Sequence, residues 1–431
     1  MRWGTRRVAA VIAVTLATAG CWPSPGAGPD RRAVNGLETA ITAASAATLT
    51  EAWAATTEGG PLGDPVVSAA AVHVNGPEHL YGIDKATGAR RWTFTRPPFA
   101  GPDPGTAPPF RWSIGQPVVD GGRVLAWTLP FPFSPFFPTS SVMVDATTGT
   151  EVHSLDGAVD ATVRGRYVLI RHTSIGGELR LVATDIDGLA SPSVAATVDD
   201  SALVDDPALI PATVGRQRLY HAGEGVATTV RDDAAPLVHG VRAFARGGGT
   251  CKQVGDFLVI SLTCPAWVTV LDGAPATSPV LSEDEATVWV GSAAGTVYAL
   301  DAATGVVRWS TRVGSPVAAE PAVDDDRLYV PTAAGHLVAL ERDGGEVAFT
   351  VATGAALTVQ PAVAGDSGGV VITGSAVGSV HAVAAAGCGA PVCDPLWQAD
   401  AGEAITGAPA ISGGQVYVGT AGGRLVAYRP A

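Results

Sequence analysis

Lysine is almost missing from this sequence. Lys85 and Lys252 are the only two, among 27 basic residues, and the formal net charge is −13. An acidic balance of that size disfavours nucleic acid and other polyanions as partners. Charge of either sign is sparse at 16%, while 47% of residues are hydrophobic. That composition excludes a disordered, solvating chain and can fill a sizeable core. The apolar run near the start, residues 8–19, is 12 residues long. A helix needs about 20 to cross a bilayer, so this run is too short to be a membrane span. Motifs of catalysis are missing too. The eight histidines are scattered, with no H-x-x-x-H or H-E-x-x-H spacing. Ser174, Ser282 and Ser292 do not lie in a G-x-S-x-G elbow. The run Gly247-Gly248-Gly249-Thr250 lacks the lysine of a P-loop.

What the sequence does have is a repeat. Residues 288–309 read VWVGSAAGTVYALDAATGVVRW. Short β-prone runs alternate there with turns. In Asp301-Ala302-Ala303-Thr304-Gly305 the aspartate accepts local backbone N–H groups, and the glycine supplies a positive φ. Related turns are Asp84–Gly88 leading to Trp92, Asp145–Gly149 leading to His153, and residues 341–345 leading to Phe349. The preceding hairpin recurs as LYVPTAAGHLVAL, VVITGSAVGSVHAV and VYVGTAGGRLVAY. Pro279, Pro321, Pro361 and Pro409 open these units and stand 42, 40 and 48 residues apart. Four short strands per unit at that period predict an all-β chain, a β-propeller of four-stranded antiparallel blades. The count of units predicts eight blades, or seven if 159–270 has been divided wrongly.

The repeated unit resembles that of the quinoprotein-type, PQQ-like propeller family. The likeness is strongest over 277–431, clear over 65–155 and faint over 156–276. The resemblance implies the fold and leaves two functions open, because the family includes quinone-dependent enzymes and non-enzymatic envelope lipoproteins, such as the outer-membrane assembly propeller. The enzymes carry adjacent cysteines in a disulfide, a tryptophan stacked under the quinone, and Glu, Asn and Asp ligands for calcium. No two cysteines are adjacent here. The acidic runs Glu283-Asp284-Glu285 and Asp324-Asp325-Asp326 read as solvated turns between first and second strands.

The ends and the cysteines point outside the cytoplasm. Arg2, Arg6 and Arg7 precede the apolar run, which ends Thr18-Ala19-Gly20-Cys21. This resembles a lipoprotein signal: residues 1–20 are the signal peptide, Cys21 is the lipidation site, and 22–32 a flexible tether. Simple secretion is the alternative. Residues 33–431 form the single propeller domain. With Cys21 set aside, four cysteines remain, and their spacing predicts the disulfides Cys251–Cys264 and Cys388–Cys393. The last unit has only three strands before the chain stops. A strand around Trp53 is expected to supply the fourth, which closes the ring and removes its exposed edges.

Two inserts break the regularity. Residues 96–112 read RPPFAGPDPGTAPPFRW and residues 129–138 read LPFPFSPFFP. The first joins two blades and the second joins the middle strands of one blade, so both emerge on one face. Phe99, Phe110, Phe131, Phe133, Phe136 and Phe137 are the candidate partner-binding residues, or else a hydrophobic cap. The sequence thus reads as a non-catalytic, monomeric, lipid-anchored protein on the extracytoplasmic face of the cell membrane. It would bind a protein, peptide or cell-wall partner, with no cofactor and no metal. The alternative is a dehydrogenase using pyrroloquinoline quinone and calcium.

Overall fold

In the computed structural model of the chain, the described residues are 22–28, 30–98, 111–120, 122–131, 140–156, 158–164, 167–173, 178–185, 193–199, 212–214, 218–227, 237–245, 250–254, 259–263, 265–365 and 368–431. Their regular elements are almost all strands in antiparallel sheets. The first sheet is Val66–Val67, Ala71–Asn75, His79–Asp84 and Arg90–Thr95. The second is Arg111–Asp120, Arg123–Phe131, Ser140–Asp145 and Glu151–Asp156. The third is Ala158–Arg164, Tyr167–Thr173, Glu178–Asp185 and Ser193–Asp199. The fourth is Ala212–Val214, Arg218–Ala227, Leu237–Ala245 and Pro265–Val270, with the hairpin Thr250–Val254 and Val259–Thr263 inserted before its last strand. The fifth is Val280–Leu281, Thr287–Gly291, Thr296–Asp301 and Val307–Arg312.

The last three sheets borrow strands from elsewhere. The sixth, Ala322–Val323, Arg327–Pro331, His336–Glu341 and Val347–Ala352, gains Val392–Cys393 in parallel on its outer edge. The seventh, Ala362–Ala364, Val370–Gly374, Ser379–Ala384 and Trp397–Asp400, gains Val34–Asn35 in parallel on its inner edge. The eighth is Ala410–Ser412, Gln415–Gly419 and Arg424–Pro430, completed by Leu49–Thr56. Trp53 lies opposite Ala427 in that pairing. The N-terminal strand therefore joins the two ends of the chain in one sheet, as expected from the missing fourth strand.

Local chemistry explains how each sheet meets the next. In the turn at 301–305, one carboxylate oxygen of Asp301 accepts the Ala303 and Thr304 N–H groups and the Thr304 hydroxyl. The other oxygen accepts from Arg308, 2.8 Å away. These donors hold the carboxyl well below its usual pKa range. The turn so fixed presents Gly305, at φ 74°, to the neighbouring sheet, where the Trp267 ring lies on it. The Trp267 Nε1–H donates to the Ala302 carbonyl at 3.2 Å. The same contact recurs as Trp53 on Gly88, Trp92 on Gly149 and Trp309 on Gly345, each indole N–H bonded to a carbonyl of the turn it covers. A side chain at such a glycine would meet the indole; a Cβ at Gly345 would lie 2.5 Å from the Trp309 ring. The repeat thus encodes the seam as well as the sheet.

We call the face where first strands end and second strands begin the near face. The aspartate–glycine turns lie there too, because strands alternate in direction. The far face carries the links between second and third strands and between successive sheets.

Candidate functional site

The ring axis is lined by the innermost strands, and in six sheets a proline stands at the start of or within that strand. The residues just before those prolines are Asp64, Gln116, Ser278, Glu320, Gln360 and Ala408. A residue before proline is held extended, which sets its side chain and its N–H at a fixed place. Here that N–H points at the same position of the next sheet. Ala408 N–H donates to Asp64 at 2.7 Å, Asp64 N–H to Gln116 at 2.9 Å, and Ser278 N–H to Glu320 at 3.3 Å. The Ser278 hydroxyl also donates to Glu320. Polar groups therefore line the far end of the axis at the eighth, first and second sheets and again at the fifth and sixth. Burial pushes the Asp64 carboxyl up to about 6 against the Ala408 N–H, with Glu320 adding to the rise and Arg31 opposing it.

Residues 22–35 fill the axis from the other side. Trp22 pairs antiparallel with Val67, through N···O distances of 2.8 and 2.7 Å. Because Val67 runs toward the near face, the chain at Trp22 runs inward from it. It turns over at Pro25–Ala27 and returns toward the near face as Val34–Asn35. The Ala33 N–H donates to the Gly26 carbonyl and joins the two arms. On the way, the Pro23, Asp30, Arg32 and Ala33 carbonyls accept from Val119, Leu281, Val323 and Val363, on the inner strands of the second, fifth, sixth and seventh sheets. Gln360 Nε2 donates to the Arg31 carbonyl at 2.7 Å, and the Arg31 guanidinium stands 3.7 Å from Glu320.

Residues 22–32 of this segment were expected to be a flexible tether. The segment is instead bonded along the inner strands of five sheets, with Trp22 only 2% exposed. The physical reason lies in the strands themselves. The channel-facing edges of a propeller's inner strands carry unpaired backbone groups, and an extended segment satisfies them. Ala27, Arg31 and Ala33 are all left-handed, at φ 65°, 58° and 55°. Such residues cost about 1–2 kcal/mol each. Burial of Trp22 and backbone bonds at about 1 kcal/mol apiece offset that strain.

The two Phe-rich inserts have described roots. Arg96, at the start of the first insert, donates to the Thr128 hydroxyl at 2.7 Å, just before the second insert begins. It also donates to Ser154 at 3.1 Å and lies 4.1 Å above the Trp112 ring, at the end of the first insert. Trp112 Nε1–H donates to the Pro97 carbonyl. Phe99, Phe110, Phe133, Phe136 and Phe137 lie outside the described residues, and for Phe131 only the backbone, ending its strand, is described. Cys21 and Cys264 also lie outside them. Cys251 lies on the inserted hairpin opposite Leu262. Cys388 and Cys393 form the expected disulfide.

The acidic runs are not merely solvated. Asp324 is 1% exposed and accepts from the Asp326 and Arg327 N–H groups and the Tyr329 hydroxyl. Asp284 accepts from Ser282 and Ala286 in its own turn. Sequence reasoning missed the axial polar groups, although the residue before each inner-strand proline was a legible signal for them.

A ring of four-stranded sheets sealed by tryptophan on a turn glycine, with the repeat described above, defines the relationship. The chain belongs to the family described as Outer membrane protein assembly factor BamB, which matches residues 10–155 and 241–431. No curated protein sequence matches it. Among solved structures, BamB from Moraxella catarrhalis is similar at 14% identity and TM-score 0.56, covering 88% of this chain and 97% of that one. The quinohemoprotein alcohol dehydrogenase from Comamonas testosteroni is similar at 14% identity and TM-score 0.64, covering 98% and 82%. A europium-containing methanol dehydrogenase is similar at 14% identity and TM-score 0.62, covering 96% and 99%. At these identities the BamB and dehydrogenase structures share the fold with this chain and say nothing more.

The axial carboxylates Asp64 and Glu320 are taken up by backbone N–H groups, Ser278 and Arg31. Among the described residues no three His, Cys, Asp or Glu side chains are grouped as a metal ion requires. Residues 22–35 occupy the axis itself.

Proposed function

We propose that this BamB-family propeller is a non-catalytic scaffold or assembly factor of the cell envelope, lipid-anchored through Cys21 on the extracytoplasmic face of the membrane. It holds a protein, peptide or cell-wall partner on the far face, through the inserts that carry Phe99, Phe110, Phe131, Phe133, Phe136 and Phe137. The observation that carries this reading is the Arg96 junction. One guanidinium joins the roots of both phenylalanine- and proline-rich inserts, so those roots lie side by side. Bulky apolar groups on a proline-stiffened backbone lose little entropy on docking. The family name supports an assembly role, and the axis filled by the chain itself supports the lack of catalysis.

The test is capture from detergent-solubilised envelope after chemical cross-linking. The protein with Phe131, Phe133, Phe136 and Phe137 replaced by Ser is expected to lose its partner with its melting temperature nearly unchanged. A large fall in melting temperature would make the loops a structural cap, and unchanged capture would move the site elsewhere. Cys21→Ser is expected to shift the protein from the membrane fraction to the medium; retention on the membrane would refute the lipid anchor.

A further inference from the structure

We infer that the near face is the membrane-facing side of the ring, held against the lipid surface with no tether between them. The inference rests on the anchoring of Cys21 proposed above and adds an orientation to it. Three observations carry it. Cys21 is joined by one peptide bond to Trp22, and successive Cα atoms are only about 3.8 Å apart. Trp22 is 2% exposed and paired through both its N–H and its carbonyl to Val67. Its antiparallel pairing fixes the direction of the chain, which at Trp22 enters the axis from the near face.

Nothing downstream of Trp22 can pay out as slack while the segment stays seated. Asp30, Arg32 and Ala33 are bonded to three further sheets, and Asn35 reaches the eighth, its Nδ2 donating to the Ile411 carbonyl at 3.0 Å. A lipid on Cys21 therefore draws the ring down on its near face. The Arg96 junction and the inserts it roots then point away from the bilayer, toward whatever lies beyond it.

Depth-dependent fluorescence quenching tests the orientation. The chain from Cys21 onward, with Cys251 and Cys264 replaced by Ser, is coupled through Cys21 to maleimide-lipid vesicles carrying nitroxide lipids. A genetically encoded fluorescent amino acid replaces either Ala69 or Val377. Ala69 is exposed on the near-face turn beside Val67, and Val377 is 63% exposed on a far-face turn of the seventh sheet. The probe at 69 is expected to be quenched several-fold more than the probe at 377. Inserting a flexible Gly-Ser linker of about 20 residues between Cys21 and Trp22 is expected to remove most of the difference. Equal quenching at the two positions, or a difference that survives the linker, would overturn the inference. Because the coupling is chemical, the outcome does not depend on whether the cell lipidates Cys21, which the Cys21→Ser fractionation decides separately.

Discussion

The seam between the fifth and sixth sheets and the seam between the sixth and seventh do the same job with different chemistry. At the first, the Trp309 ring covers Gly345 and its N–H bonds to the Arg342 carbonyl at 3.1 Å. At the second, Phe349 covers Gly387, at φ 75°, and has no N–H to give. The short turn is there opened into the loop 385–396, closed by the Cys388–Cys393 disulfide. That loop lays Val392–Cys393 in parallel on the outer edge of the sixth sheet, with Thr350 N–H donating to the Pro391 carbonyl at 2.9 Å. The Tyr329 hydroxyl, whose proton is shared with Asp324, also stands 3.0 Å from the Ala385 carbonyl. At both of these seams an aromatic ring sits on a left-handed glycine and one directional bond is added, from an indole at the first and from backbone at the second.

This contrast is open to attack in four places. Phe349 is 3% exposed, while Trp309 is half-buried. Phe349→Ala is expected to cost about 3–5 kcal/mol in urea unfolding and Trp309→Ala somewhat less, since water can reach the freed carbonyl. A larger loss at Trp309 would reverse the ranking. Next, removing the disulfide as Cys388→Ser with Cys393→Ser is expected to cost about 2 kcal/mol. Added to Phe349→Ala the loss should exceed the sum, and added to Trp309→Ala it should not, because only the first pair shares a seam. Equal coupling in both cycles would dissolve the distinction.

Gly345→Ala should lose at least about 1–2 kcal/mol from the left-handed backbone alone. Part of any further loss should return when Trp309 is also Ala, because the ring is what the new Cβ meets. Full additivity would deny that contact. The smallest effect is one of pH and belongs to the seam between the eighth and first sheets. Asp64 has its carboxyl raised from 3.8 to about 6, so the folded protein binds more protons than the unfolded one between those values. Stability should fall as pH rises from about 4 to 6 and level off above. Melting temperature against pH should flatten in Asp64→Asn, whereas Gln360→Ala, at the seventh sheet's uncharged equivalent, should leave the slope alone. A slope that survives Asp64→Asn would assign it to another group.

The fold was readable because its information is local and repeated. Each aspartate–threonine–glycine turn fixes its own geometry, and each tryptophan states what it will cover. The strand at Trp53 was readable for the same reason, as a copy with a missing partner. The segment 22–35 was not. Its prolines and glycines have the composition of a linker, and its partners are backbone groups on strands that any inner-strand sequence would supply. Trp22 was the one residue out of keeping with a tether. The inserts were readable as a composition and their common face from connection order, but the Arg96 link between their roots joins residues 32 and 58 apart and has no sequence signature. Asp324 looked like part of a solvated acidic run because burial of one member leaves no trace in its neighbours.

The pairing of Leu49–Thr56 with Arg424–Pro430 has a consequence for how the molecule comes into being. Leu49–Thr56 is made long before the strand it pairs with. Loop closure over most of the chain is an entropic barrier met before any reward, and topologies of that kind fold slowly. Until Arg424–Pro430 is made, Leu49–Thr56 is an exposed β-segment open to pairing with other chains. Deletion of Arg424–Pro430, a small change by length, would strand Leu49–Thr56 and turn a delayed fold into an aggregating one.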